Sequence, residues 1–348
     1  MKGTSILLDT VAGREAAAKL VNGQLDDLLI DAESPRPGSI YRAIADRPVK
    51  GQGGMFLRTP DGSAFLRQVK GLKPGQPLLV MVTGHAEPGK AIPVTTRLLF
   101  KSRYAIVTPG APGVNISRSI KDDDLRDEIN VIAREALAEA PLPDGAGLIL
   151  RSSTRDGNEG EIAEDIIAMS SLAAQVLADQ TGDADLLVEG PGPHGLAWQE
   201  WSEPADMDAS EGCFETHSVD EMIDALQRPD VALPGGGSMW IEPTRALVAV
   251  DINTGGDTSP AAGLKANLAA LKDIPRQLRL RGLGGQILLD MAPCAKKERR
   301  QMESLLRAGL KRDSVETIVA GWTQLGLMEL QRKRERVPLS DVMSEVLK

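Results

Sequence analysis

The spacing of apolar positions changes repeatedly along this chain, and each change predicts an element boundary. Between residues 38 and 98 short apolar runs at 40–44, 55–57, 64–69, 78–82 and 92–98 are separated by Gly53-Gly54, Asp61-Gly62, Gly71, Pro74-Gly75 and Pro88-Gly89. Five short strands with turns at that spacing predict a small barrel, for which the OB-fold is the commonest five-stranded candidate. The preceding segment predicts a strand, a short helix at about 13–20, and a hairpin turned at Asn22-Gly23 into Leu28-Leu29-Ile30. Asn-Gly is a strong hairpin signal because both residues tolerate positive φ. The Pro/Gly segment 34–38 closes this unit.

Beyond residue 98 the spacing turns helical. A strand at 104–107 precedes an acidic helix at 122–140, in which Leu125, Ile129, Ile132, Ala133 and Leu137 share one face. A buried strand at 148–150 delivers Arg151, Ser152 and Ser153 to its end, and a second amphipathic helix spans about 159–179. Groups between a strand end and a helix N-terminus are well placed to hold a phosphate; the alternative is an ion pair of Arg151 with Glu161 or Asp165. Residues 181–234 are the least patterned, and Trp198 and Trp201 are expected in packing.

From Gly235 the pattern sharpens again. A glycine turn leads to a strand at 239–242, then to a second at 246–253 whose Leu247-Val248-Ala249-Val250 run ends in Asp251-Ile252-Asn253. Alternation places Asp251 and Asn253 on one face. A helix at about 261–281, with a kink expected at Pro275, leads to a third strand, 286–290, whose apolar Ile287-Leu288-Leu289 run ends in Asp290. In a parallel or mixed sheet both aspartates reach the carboxyl edge, where open α/β sheets bind ligands. Two carboxylates and an amide oxygen are hard ligands suited to Mg²⁺ or Mn²⁺, and a metal so held can drive phosphodiester hydrolysis. The structural alternative is a helix cap for Asp251 and an ion pair for Asp290.

Composition narrows the setting. With 348 residues, 42% hydrophobic and 26% charged, the chain is globular and long enough for two or three domains. Cys213 and Cys294 are isolated, which signals neither a disulfide framework nor a zinc site and suits a reducing compartment. There is no apolar run of membrane-spanning length and no signal-peptide core before Asp9, so a cytoplasmic protein is expected. The net charge is −9, yet residues 265–336 hold 16 Lys and Arg against 8 Asp and Glu, a local +8. That asymmetry suits a polyanion partner, with Lys296, Lys297, Arg299, Arg300, Arg332, Lys333, Arg334 and Arg336 as the cations to orient it.

These strings resemble the ribonuclease E/G family. The resemblance is carried by Gly236-Gly237-Ser238, by Ala-Val-Asp-Ile-Asn-Thr-Gly at 249–255, and by Arg-Gln-Leu-Arg-Leu-Arg-Gly-Leu-Gly-Gly at 276–285. Ile-Leu-Leu-Asp-Met at 287–291 and Gly-Leu-Met-Glu-Leu-Gln-Arg-Lys-Arg at 326–334 add to it, and weaker matches at 38–41, 94–96, 115–118 and 147–152 extend it upstream. It implies an α/β multi-subdomain fold: a split ribonuclease H-like subdomain (1–35 and 181–235), an OB-fold RNA-binding barrel (36–98), a 5′ sensor (99–180) and a deoxyribonuclease I-like catalytic subdomain (236–340). It further implies Mg²⁺-dependent hydrolysis of single-stranded RNA with a preference for 5′-monophosphate ends. By position, Asp251 and Asp290 match the metal-binding aspartates and Asn253 the asparagine beside them. Arg151 and Ser152 match the pair that contacts the 5′ phosphate. Phe56, Phe65 and Lys90 match RNA contacts of the barrel, although a strand phenylalanine read alone is usually core.

The chain also departs from the family. The family's Asp-Phe-Ile-Asp-Met is shortened to Asp290-Met291, so its second aspartate is missing; Asn267-Leu268-Ala269-Ala270 lacks the glutamate common there, and the Cys-Pro-x-Cys zinc link is absent. A homo-oligomer would therefore form without that link. The expected function is an endoribonuclease, and the alternative is an RNA-binding protein of the same fold that has lost hydrolysis. A metal-dependent nuclease or phosphatase acting on another substrate is the third reading.

Overall fold

The computed structural model describes residues 3–32, 35–49, 53–68, 71–86 and 89–346. Ser34, Val69 and Pro88, which enter the turn and strand expectations above, lie outside the described residues. The chain divides into two compact units, Met1–Ala32 with Ala205–Lys348, and Glu33–Pro204.

The first unit opens with β1 (Thr4–Val11), β2 (Arg14–Val21) and β3 (Gln24–Ile30), an antiparallel meander. Asn22 and Gly23 turn the second hairpin at φ of 52° and 79°, as Asn-Gly predicts. The helix expected at 13–20 is instead strand β2. Its alanines, glutamate and lysine favour a helix, but so short a segment between two tight turns cannot sustain one. Ala16, Ala17 and Ala18 are fully buried, and burial outweighs propensity here.

The chain then builds the second unit. Strands β4 (Ile40–Val49), β5 (Gly54–Thr59), β6 (Gly62–Leu66), β7 (Pro77–Val82) and β8 (Ile92–Thr95) follow in sequence. They pair in the order β4-β5-β6-β8-β7, and β7 returns to β4, which closes a five-stranded OB-like barrel. Tyr41, Met55, Leu57, Leu66, Val80 and Val94 fill its interior. A second sheet uses β9 (Phe100–Lys101), β10 (Ala105–Thr108), β11 (Gly113–Ile116) and β12 (Gly147–Leu150), in the order β11-β12-β10-β9. Helices α1 (Asp123–Glu139, capped by Asp122) and α2 (Glu159–Ala178, capped by Asn158) pack with it around Val107, Leu148, Ile129 and Ile166. Strand β13 (Asp185–Val188), expected to belong to the returning subdomain, instead pairs with β4, and α3 (Pro193–Glu200) ends the unit.

The first unit resumes with β14 (Asp206–Asp208), parallel to β1, and with α4 (Cys213–Thr216) and α5 (Val219–Leu226). Next come β15 (Asp230–Ala232), β16 (Ser238–Pro243), β17 (Val248–Asn253), α6 (Ala262–Leu280) and β18 (Gly285–Asp290). Then follow α7 (Arg299–Leu310), β19 (Thr317–Trp322), β20 (Met328–Arg332) and α8 (Leu339–Val346). The six strands from β15 to β20 form one sheet, ordered β15-β16-β17-β18-β20-β19. Only β17 and β18 run parallel within it, joined through α6, which passes Pro275 without interruption. One face of the sheet is dry: Met239, Val250, Leu289 and Met328 pack against Ile274, Leu278 and Leu306. Among the described residues no helix is long and apolar enough to cross a membrane.

Asp27 on β3 is 5% exposed and meets Arg336 and Arg279. Burial alone would raise its carboxyl, but the charges and hydrogen bonds of its partners outweigh that and hold it below the usual carboxylate range. A carboxyl lowered by folding stabilises the native state above its unfolded value and loses that contribution as pH falls. Urea unfolding should therefore show stability dropping below about pH 4. Asp27→Asn should be less stable at pH 7 and flatter with pH through that window; an unchanged acid slope would contradict the role assigned to this pair.

Candidate active site

The second face of the six-stranded sheet is open, and the aspartates lie on it. Along β17, Val248, Val250 and Ile252 point into the core while Asp251 and Asn253 are exposed; along β18, Ile287 and Leu289 are buried and Asp290 is exposed. The parallel register pairs Asp251 with Asp290, so the carboxylates stand on neighbouring strands, with backbones about 4.8 Å apart. The amide nitrogen of Asn253 donates to Asp251 Oδ2 at 2.7 Å. The other oxygen of Asp251, and both of Asp290, have no protein partner among the described residues. The sequence-based alternatives, a helix cap for Asp251 and an ion pair for Asp290, do not occur among the described residues.

Close backbone approaches hold this edge. Gly255, at φ +62°, sits where a Cβ would come within 2.1 Å of Gly236 O, so the loop after Asn253 and the loop before β16 can meet only through glycine. A Cβ on Gly263 would lie 1.9 Å from Pro293 O, which seats the start of α6 on the segment after Asp290. Asn267 fixes that segment. Fully buried, it donates to Ala292 O and accepts from Ala292 N, both at 2.9 Å. Sequence reasoning noted the run beginning at Asn267 only for a missing glutamate; the overlooked signal was a single asparagine on the apolar face of α6.

The barrel presents its own candidate surface. Phe56 and Phe65 face each other across β5 and β6, with ring centroids 5.3 Å apart, while their neighbours Met55, Leu57, Ala64 and Leu66 fill the interior. The two rings are thus partly exposed on the barrel's outside and are not its core. Arg47 lies over the Phe56 ring at 5.2 Å. Lys90 is exposed ahead of β8.

At the end of β12, Arg151 and the exposed Ser152 open a 3₁₀ turn. The Arg151 guanidinium donates to Gln199 O at 2.9 Å, to Ser102 O, and to Glu200 at 3.0 Å; Glu200 also pairs with Lys101 at 2.8 Å. The ion pair read as the alternative for Arg151 therefore exists, but with Glu200. Glu161 and Asp165 accept hydrogen bonds from Tyr104 and Ser102 instead. Trp201 is buried as expected, whereas Trp198 is 49% exposed beneath the Arg103 guanidinium, 4.0 Å from its ring centre.

The basic tract needs correction. Arg332, expected on RNA, is 2% exposed: it pairs with Asp313 at 3.0 Å and donates to Thr317 Oγ1 at 2.8 Å, so its charge is spent inside the fold. Arg276 binds Asp273 and Leu25 O, Arg279 binds Asp26 and Asp313, Arg281 donates to Leu226 O and Arg228 O, and Arg336 meets Asp27. Arg299 covers the Trp322 ring at 4.3 Å, and Lys333 pairs with Glu316. Arg334 is exposed and passes over Gly285. Among the remaining cations, Lys296, Lys297 and Arg300 are exposed close in sequence to Asp290.

Residues 199–335 match the family model described as Ribonuclease E/G family. The chain is 26% identical to ribonuclease E of Synechocystis sp. over 389 aligned residues, covering 95% of this chain and 57% of that protein. It is 29% identical to ribonuclease E of Escherichia coli over 306 residues, covering 76% and 28%, and 26% identical to ribonuclease G of Escherichia coli over 407 residues, covering 97% and 81%. It thus spans about half or less of the two ribonuclease E chains and most of ribonuclease G. The match lies across the strands that align Asp251 with Asp290, and over that region the chain is similar to the ribonuclease E/G family.

Proposed function

We propose that this protein is a metal-dependent endoribonuclease that hydrolyses single-stranded RNA and favours 5′-monophosphate ends. The observation that carries the proposal is the pairing of Asp251 with Asp290 at the carboxyl ends of the sheet's two parallel strands. Two exposed carboxylates and an amide fit a hard divalent cation that keeps several waters, Mg²⁺ or Mn²⁺. Such a cation, when bound, polarises a phosphoryl oxygen and lowers the pKa of a water. The chain's own residues would supply the rest. Asn253 orients the Asp251 carboxylate, Asn267 fixes the backbone beside Asp290, and the carboxylates accept the positive charge.

In this reading residues 236–340 act as the deoxyribonuclease I-like catalytic subdomain, and β1–β3 with the returning segment as the ribonuclease H-like one. Phe56 and Phe65 stack unpaired bases on the barrel, where every base offers a π-face. Lys90 and Arg334 contact the backbone, and Arg151 with Ser152 takes the 5′ phosphate. Its setting is cytoplasmic. The deciding comparison is one RNA carrying a 5′-monophosphate or a 5′-hydroxyl, with Mg²⁺ or with EDTA. Internal cuts only with Mg²⁺, faster on the monophosphate, are expected; binding without cuts in any divalent metal would replace hydrolysis with RNA binding as the function.

Glu200 sharpens the sensor part of this proposal. Its carboxylate already occupies the charge that a 5′ phosphate would use, so phosphate binding must displace it. Glu200→Gln should raise the monophosphate-over-hydroxyl rate ratio about 3- to 10-fold, since a partly exposed ion pair is worth on the order of 1 kcal/mol. An unchanged ratio would remove Arg151 from the sensor role.

A further inference from the structure

Trp240 lies on the open face beside the aspartate pair, and nothing in the family resemblance gave it a role. On β16 its neighbours Met239 and Ile241 are buried, while Trp240 is 44% exposed on the opposite face. It pairs across the strands with Asp251, which pairs in turn with Asp290. Directly opposed residues of neighbouring strands point to the same face, with Cβ atoms about 4.5–5.5 Å apart. Trp240, Asp251 and Asp290 thus form one row across three strands.

A large exposed ring at this place calls for an explanation. Exposed Trp198 lies beneath Arg103, and the part-buried Trp322 beneath Arg299, each within cation–π distance. Trp240 has no such cover among the described residues, and its indole N–H makes no hydrogen bond there. The positions opposite it on both neighbouring strands are Asp230 and Asp251. With Asp251 given to the cation and Asp230 on the other side, the ring itself suits a flat, uncharged group rather than a second anion.

We propose that Trp240 is a base-stacking subsite: it receives the nucleobase adjoining the phosphate that is cut, and so sets where an unpaired strand is cleaved. This rests on the endoribonuclease reading above. Asp251 stands one strand spacing from Trp240 and Asp290 two, so with a phosphate held through a cation on the aspartates, the base of an adjoining nucleotide is the part of the substrate that would reach the indole. Stacking there needs an unpaired base, because a base inside a duplex has both faces covered.

The test combines protein and substrate changes. Trp240→Ala and Trp240→Phe are compared with the unaltered protein on one single-stranded RNA with a mapped cut, and on versions with an abasic ribose on either side of that cut. Trp240→Ala should lower kcat/KM about 10-fold, within the range measured for base–aromatic stacking, and Trp240→Phe should restore most of it. One abasic position should cost the unaltered protein a similar factor and cost Trp240→Ala nothing further. Equal abasic losses in both proteins, or an Ala variant as active as the parent, would overturn the proposal.

If the unaltered protein cuts no RNA in any divalent metal, the endoribonuclease reading fails, and a binding arm still decides the subsite. The fluorescence of Trp240, taken as the difference from Trp240→Phe, should be quenched by an intact single-stranded oligonucleotide and not by its fully paired duplex. Equal or absent quenching overturns the subsite independently of cleavage. A mass that rises with concentration in the parent but not in Trp240→Ala, with cleavage unchanged, would assign the ring to contact between copies of this chain and would likewise overturn it.

Discussion

Asp251→Asn and Asp290→Asn are each expected to abolish Mg²⁺-dependent cleavage, lowering the rate by roughly three orders of magnitude or more, about 4 kcal/mol on the barrier. Each change removes one of two charges meant to hold a single cation, so the double variant should be no worse than either alone. RNA affinity measured without divalent metal should stay within about two-fold, because Phe56, Phe65, Lys90 and Arg151 are elsewhere in the chain and Trp240 is left unaltered. Stability provides the control. The paired carboxylates repel each other on adjacent strands, and neutralising one should leave the melting temperature unchanged or slightly raised. Cleavage that survives in both single variants would sink the mechanism. Loss of cleavage with a large fall in melting temperature would show only that the sheet had been damaged.

The second large effect concerns folding. Arg332→Met should destabilise the protein by about 3–5 kcal/mol, because it leaves the buried carboxylate of Asp313 without one of its two arginines. For a domain of this size that is roughly 10 °C in melting temperature. Affinity of the folded fraction for single-stranded RNA should not change. If Arg332 gripped RNA, as its place in a basic run suggested, the pattern would reverse: intact stability, weaker binding and a shallower salt dependence. A filter-binding titration beside a thermal melt separates the two.

The aspartate pair was legible because an apolar run ending in a carboxylate occurs twice, at 247–251 and 287–290, and a parallel or mixed sheet brings both to one edge. The barrel was legible from its turns, and Phe56 and Phe65 from the family resemblance; alternation with Met55, Leu57, Ala64 and Leu66 then explains why these rings face outward. Segment 13–20 was misread because alanine favours helices in isolation yet also fits where two layers press close. The basic tract was misread for another reason. Charge counts cannot show that Asp26, Asp27 and Asp313, distant in sequence, meet Arg279, Arg332 and Arg336. The longest string that carries the resemblance, 276–285, thus records architecture more than chemistry: its three arginines tie α6 to other segments of its own unit.

The alternation along β18 has a consequence for how errors in pairing are rejected. A slip of this strand by one residue would carry Leu289 into water and press Asp290 into the apolar layer between sheet and helices. Both changes are unfavourable, and burying an unpaired carboxylate is much the worse of the two. The aspartate therefore guards its own alignment: the charge that faces outward, where the proposed chemistry needs it, also makes the misaligned strand too unstable to persist.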